Sequence, residues 1–208
     1  GEERRKKIED NFNMKKFLVV LILIFTLQTP SQADDIRDFQ IEGMSVGDNA
    51  LDYFTEDELE NSPKSYYPNK KFHLVDIFSS KYQTYDSVQF SLKNNDYKFY
   101  SISGTLYFRD KSFKKCLAKK EDIQKEIFSL FKDIKKIDRD TVKHPGDKSG
   151  KSKVLQTEII FSETSEVISI QCTYWSKEIE KKHGWVDNLS ITLYSAEYAN
   201  WLRNEAYK

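Results

Sequence analysis

Residues 86–108 read DSVQFSLKNNDYKFYSISGTLYF. Two runs alternate within this stretch. In the first, Val88, Phe90 and Leu92 point one way and Ser87, Gln89 and Ser91 the other; in the second, Ile102, Gly104, Leu106 and Phe108 alternate with Ser101, Ser103, Thr105 and Tyr107. Successive side chains of a strand point to opposite faces, so each run predicts a strand that is apolar on one face and polar on the other. Asn94-Asn95-Asp96 supplies turn chemistry between them, and the pair reads as a hairpin.

The pattern recurs downstream. Leu155, Thr157, Ile159 and Phe161 alternate, residues 162–165 turn, and Ile168, Ile170, Cys172 and Tyr174 alternate again. After a second turn near Lys182-His183-Gly184, Leu189, Ile191 and Leu193 predict a last strand. Upstream, residues 72–78 are rich enough in apolar and aromatic side chains for another. Helices separate these groups. Ser45 with Asp48 forms a near capping box ahead of an apolar stripe of Val46, Ala50, Leu51 and Phe54, and Thr55 with Glu58 forms a second box. Residues 119–134 carry Ile123, Ile127, Leu130, Phe131 and Ile134 at helical spacing, and residues 138–153 read as a polar loop. Ser195 caps a C-terminal helix bearing Tyr198, Trp201 and Leu202.

The order is helix, three strands, helix, three strands, helix. It lacks βαβ alternation, so the expected class is α+β: an antiparallel sheet of about six strands with helices on one face. Two helix-plus-three-strand units suggest an internal duplication, although no residue-level match joins the halves.

The first 33 residues have a different character. From Met14 the chain reads MKKFLVVLILIFTLQTPSQA: two lysines, an apolar run of 11 residues, Pro30, then Ser31 and Ala33 at the −3 and −1 positions. This is the layout of a cleavable signal peptide over residues 14–33, with cleavage before Asp34. The run is too short for a spanning helix, which needs roughly 20 apolar residues. Residues 1–13 read as an unstructured upstream extension, and residues 34–208 as one mature domain, periplasmic or secreted. No stable membrane anchor is expected after cleavage.

Beyond residue 33 the chain holds 27 Lys/Arg against 29 Asp/Glu. A near-neutral surface argues against nucleic acid, which needs a basic stripe to displace counterions. Of the 33 cationic residues in the whole chain only six are Arg, which points to solubility rather than bidentate anion recognition. Cys116 and Cys172 predict one disulfide in an oxidising compartment, with two buried free thiols as the other reading.

The stretch DIRDFQIEGMSVGDNALDYF at residues 35–54, together with Tyr100-Ser101-Ile102-Ser103-Gly104, residues 144–152 and Trp201-Leu202, resembles a family of small exported proteins of unknown function from AT-rich marine bacteria. That resemblance implies export. Gly43-Met44-Ser45 ahead of antiparallel strands is also similar to the small α+β modules of outer-membrane assembly lipoproteins and β-lactamase inhibitors, without the lipid-bearing Cys.

Chemical motifs fail on spacing. Gly146-Asp147-Lys148-Ser149-Gly150-Lys151-Ser152 has three residues between its glycines, whereas a Walker A loop has four and sits between a strand and a helix. His73, His144 and His183 are scattered, and the acids Asp48, Asp52, Glu56, Asp57, Glu58 and Glu60 lack the oxygen spacing of a calcium loop. No G-x-S-x-G elbow occurs. No catalytic residue, metal or cofactor is therefore assigned.

Candidate partner-binding residues are Trp175, His183 and Trp185. By alternation Trp175 falls on the face opposite Cys172, and if Trp185, which opens the next strand, pairs across from it, the sheet carries two indoles near one another beside an imidazole. Against this, large aromatics are mostly buried, and the C-terminal helix is expected to fold over them through Tyr198 and Trp201. The functional expectation is a non-enzymatic exported binding or interaction module whose partner is a protein or glycan of the cell envelope. The alternative is a hydrolase of an envelope polymer; converging acids in a cleft would favour it, and a bare sheet face or groove the module.

Overall fold

In the computed structural model, residues 36–208 are described, apart from Asn95, Lys111, Ser112, Pro145 and Gly146 and the side chains of Asp140 and Thr141. The expectations for residues 1–13, the signal peptide and the cleavage point lie outside the described residues.

Strands β1 (Lys64–Tyr66), β2 (Phe72–Ile77), β3 (Ser87–Lys93) and β4 (Asp96–Tyr107) form one meander; β5 (Ile134–Lys143), β6 (Lys153–Phe161), β7 (Val167–Tyr174) and β8 (Asn188–Tyr194) form another. They join into one antiparallel sheet of eight strands, ordered β1-β2-β3-β4-β8-β7-β6-β5. The count of about six was low, and each unit is a helix plus four strands. The order reads the same from either edge once the halves are matched, as a two-fold relation through the central β4–β8 pair requires.

Two strands escaped the sequence because they lie at the edges. β1 is three exposed residues, and β5 carries four lysine or arginine side chains among its ten residues, which leaves no clean alternation. Edge strands are commonly short, charged or bulged, which blocks pairing with other chains, and β5 has a register shift between Arg139 and Val142. Residues 138–143, expected as loop, therefore belong to a strand.

The helices are α1 (Glu56–Asn61), α2 (Phe113–Leu130), α3 (Lys177–His183) and α4 (Ala196–Asn204). The capping box at α1 forms as expected, with Thr55 and Glu58 bonding each other's backbone. The helix expected from Ser45 does not form. The Asp48 carboxylate accepts the Ser45 backbone N–H at 2.9 Å, one half of the box, but the Ser45 hydroxyl donates to the Phe39 carbonyl at 3.0 Å, and only a short 3₁₀ segment (Ala50–Asp52) follows, capped by Asn49. α2 starts six residues before the expected position and ends at Leu130, so Ile134 begins β5. Residues 177–183, expected as a turn, are helical; Ser176 caps the start and Gly184, at φ 70°, ends it in a left-handed conformation that glycine tolerates.

The apolar sheet face packs under α2 and the segment before α1. Its core holds Val88, Phe90 and Ile102 from the first half and Ile159, Ile170, Leu189, Ile191 and Leu193 from the second. Gly104 is needed here because a Cβ would lie 2.5 Å from the Tyr85 ring. Cys116 and Cys172 form a disulfide with Cα atoms 6.0 Å apart, tying the start of α2 to β7. Beneath α2, Thr157 ties helix to sheet, accepting from Gln124 and Lys120 and donating to Asp138.

The helices do not all share that face. α4 packs on the opposite side, where Tyr198 and Trp201 join Phe72 and Tyr100 in a separate small core with Tyr67 and Tyr194 alongside. Tyr194 alternates with the core residue Leu193, so the polar face of the sheet is covered at one end only. No helix among the described residues is long and apolar enough to cross a membrane.

Two half-buried imidazoles give the fold a pH dependence. Burial pushes His73 below the usual histidine range, assisted by the nearby Lys64 ammonium, and burial lowers His144 against the pull of Asp147. A group whose folded pKa is depressed binds its proton preferentially in the unfolded chain. Its stabilising contribution is complete above the unfolded value of about 6.5 and declines as pH falls below it. The melting temperature is therefore expected to drop between about pH 7.5 and pH 5, less steeply in His73→Gln and His144→Gln. Unchanged slopes in both variants would remove the histidines as the cause.

Candidate binding groove

The uncovered part of the polar face is a groove of about 820 Å³. Its floor follows from the alternation read in the sequence, since every residue between two core residues of a strand must point here. Register sets these side chains in rows across the sheet. One row runs Asp76, Gln89, Ser103, Thr192 and Ser169 over five strands. The next runs Ser87, Thr105, Ser190 and Gln171. The third is Tyr107, Asn188 and Thr173.

Neighbours within and between the rows bond one another. Gln89 Nε2 donates to Asp76 Oδ1 at 2.8 Å, Thr192 Oγ1 donates to Ser103 Oγ at 2.8 Å, and the Ser87 and Tyr107 hydroxyls lie 3.0 Å apart. Burial raises the Asp76 carboxyl above its usual range, opposed by the Gln89 bond. Asp76 is the one carboxylate among the lining residues, and Arg109 at the rim, 5.9 Å from the Tyr107 ring centroid, is the one lysine or arginine.

One end of the groove is aromatic. Trp175 follows β7 and Trp185 precedes β8, with ring centroids 4.6 Å apart. His183 stacks on Trp185 at 4.7 Å, and His144 lies 4.3 Å from Trp175. Trp175, His183 and Trp185, nominated from the sequence, thus stand together. Trp175 is 8% exposed and Trp185 42%, and the C-terminal helix does not cover them: Tyr198 and Trp201 sit at the other end of the face. His144 joins the cluster without a sequence signal, since 31 residues of chain separate it from Trp175.

A polar scaffold fixes this end. Asp147 accepts the Ser149 and Ser152 backbone N–H groups at 2.9 and 2.8 Å, the Ser152 hydroxyl at 2.6 Å and the Ser176 hydroxyl at 3.1 Å. Those bonds, from Ser152 first and then Ser149, hold its carboxyl well below the usual range. The loop that imitates a phosphate cradle in sequence is therefore filled by its own aspartate, and it anchors the N-terminus of α3. Asp187 accepts the Trp175 backbone N–H at 2.7 Å, and the Gly184 cap turns the chain so that Trp185 lies over Trp175.

The acids grouped in the sequence around residues 48–60 serve local structure. Asp48 binds Ser45 and Tyr53, Asp57 binds Asn61, and Glu58 caps α1. A second cavity of about 620 Å³ lies beside them, where Glu42 accepts the backbone N–H groups of Gln83, Thr84 and Tyr85 and closes a loop. Among the described residues no group of three or more His, Cys, Asp or Glu side chains is placed to hold a metal ion. No protein-family model matches the chain, and neither the curated proteins nor the solved structures contain a significant match to it.

Proposed function

We propose that this chain is an exported, non-enzymatic binding module and that its ligand lies in the groove over the polar sheet face, against Trp185. The observation that carries the reading is the placement of a half-exposed indole at the mouth of a neutral polar groove. A rigid amphipathic ring held by a stacked imidazole and a second indole is the kind of anchor that dominates interfaces. Export is supported by the disulfide, a bond that persists in oxidising compartments, together with the leader-like residues 14–33.

The hydrolase alternative is less well supported. Hydrolysis of a glycan commonly uses two carboxylates flanking the scissile bond, and Asp76 has no second acid facing it across this groove. Glu158, the acid at the far end of its row, lies between Arg139 at 2.9 Å and Arg203 at 3.6 Å.

Immobilised protein is expected to retain material from a solubilised cell-envelope fraction. Trp185→Ala, which removes the anchor, and Ser190→Arg, which fills the middle of the floor, should each reduce retention at least about tenfold. Neither should alter the melting temperature by more than a degree or two, because both positions face the groove. Retention indifferent to both substitutions would place the binding face elsewhere.

A further inference from the structure

We propose that the groove takes a neutral, linear glycan, with one pyranose ring seated on Trp185; this assignment rests on the binding-module reading. The floor argues for it first. Ser103, Thr105, Ser190 and Thr192 each offer one donor and two acceptor positions, and Gln171 and Asn188 offer both kinds on an amide. A surface of interspersed donors and acceptors without formal charge matches a ligand of the same description, and sugar hydroxyls are that. Groups already bonded within the rows keep capacity: Ser103 accepts from Thr192 and still has its own proton to donate.

Charge excludes the other polymers. The groove sets Asp76 against Arg109, so it has no cationic stripe for a polyanion and no acidic patch for a basic segment. A peptide in extended form would seek the unpaired N–H and C=O groups of a strand edge, or apolar pockets for its side chains. This surface is a sheet face, where the backbone is already paired, and its floor is hydroxyl and amide.

The aromatic end supplies the other half of sugar recognition. A pyranose ring has an apolar C–H face as well as a hydroxyl rim, and an exposed indole face is its complement. Trp185 is 42% exposed; its ring stacks on His183 with planes 24° apart and is braced by Trp175, and what these two leave uncovered is offered to the sugar. The dimensions indicate a chain of sugars rather than a single ring. From Asn188 to Tyr194 the floor follows one strand for about 20 Å, given about 3.4 Å per residue, and its volume of about 820 Å³ is toward the upper end of ordinary ligand sites.

The test titrates the disulfide-bonded protein with cellohexaose, chitohexaose and maltohexaose, following indole emission, iodide quenching and heat. At least one oligomer is expected to bind and to shield Trp185 from iodide. Trp185→Ala should weaken that binding about 30-fold, Trp185→Phe should recover part of it, and Ser190→Arg should abolish it. Binding untouched by Trp185→Ala, or preference for the polyanion alginate over all three, overturns the assignment. If none of the three binds while envelope retention still depends on Trp185 and Ser190, the glycan assignment fails and the groove stands as a protein-binding face. If that retention is also indifferent to both residues, the groove itself is not the site.

Discussion

Reduction of the Cys116–Cys172 bond is expected to lower the stability of the domain by about 4 kcal/mol. In the chain-entropy treatment, a cross-link spanning 56 residues of separation removes roughly that much freedom from the unfolded chain. The position of the bridge adds to the argument. Both half-cystines are buried, and Cys116 lies in the first turn of α2, whose pairing with β7 and β8 closes the main core. Among the described residues of the helix Cys116, Gln124 and Ile127 are buried, with Phe113, Leu117 and Ile123 partly buried against the core, and the covalent link adds to these contacts in holding it on the sheet. For a domain of this size, about 4 kcal/mol corresponds to a melting temperature lower by roughly 8–16 °C. A Cys116→Ala/Cys172→Ala variant should melt at the same lowered temperature with or without reductant. Equal melting of the oxidised and reduced native protein would show that the bridge contributes nothing, and alkylation of either thiol without reductant would show that it does not form.

The parts of the fold that were legible in the sequence are those where one local rule governs. Alternation alone placed β3, β4, β6, β7 and β8 on the correct residues and assigned the faces of Val88, Phe90, Ile102, Ile191 and Leu193. The Thr55 and Ser195 caps were equally direct, because a hydroxyl accepting a backbone N–H three residues on is a local event. The failures occurred where two rules compete. Ser45 and Asp48 have the residue types of a capping box and the carboxylate does accept the Ser45 N–H, yet the Ser45 hydroxyl is taken by the Phe39 carbonyl and Gly47, at φ 94°, turns the chain away from a helix. Ile134 continues the period of α2 by coincidence: the chain leaves the helix at Phe131, passes Asp133 in a left-handed conformation and enters β5. Edge strand β5 carries almost no periodic signal, because solvation on both sides removes the need for one.

The candidate site was legible only in part, for a related reason. Trp175 could be placed on the polar face by counting from Cys172, but Trp185 joins it only on the supposition that it pairs across from Trp175, and His183 follows from its position two residues before Trp185. The groove itself depends on strand order, which no local pattern reveals. Only when β4 pairs with β8 does Ser103 meet Thr192, and only then do two polar half-sheets become one floor. The serines and threonines looked like ordinary solvent-facing positions, which is what each of them is in isolation. Their combination is a property of topology.

Trp201→Ala is expected to destabilise the domain by about 4 kcal/mol, within the range for deleting a fully buried tryptophan. Trp201 has no solvent exposure. Its ring lies 4.7 Å from Phe72, 5.1 Å from Tyr67 and 5.3 Å from Tyr198, and its Nε1 donates to Asn69 Oδ1 at 3.2 Å. One side chain therefore joins α4, the start of β2 and the β1–β2 turn. Truncation leaves a cavity that the flanking rings cannot fill without giving up their edge-to-face geometry, and it leaves Asn69 Oδ1 with the Lys71 backbone N–H but without the indole donor. Trp201→Phe retains most of the volume and loses the N–H, so about 1–2 kcal/mol is expected. Denaturant melts followed by far-UV circular dichroism give both numbers. Loss below about 1 kcal/mol for the alanine variant would mean that α4 does not depend on this contact. The same experiment bears on the groove, because the packing of α4 against Tyr100 and Phe72 walls off its end near Tyr194 and Tyr67. A chain that keeps α4 docked but loses Trp185 should melt normally and bind more weakly, whereas one that loses Trp201 should surrender stability first and the shape of the groove with it.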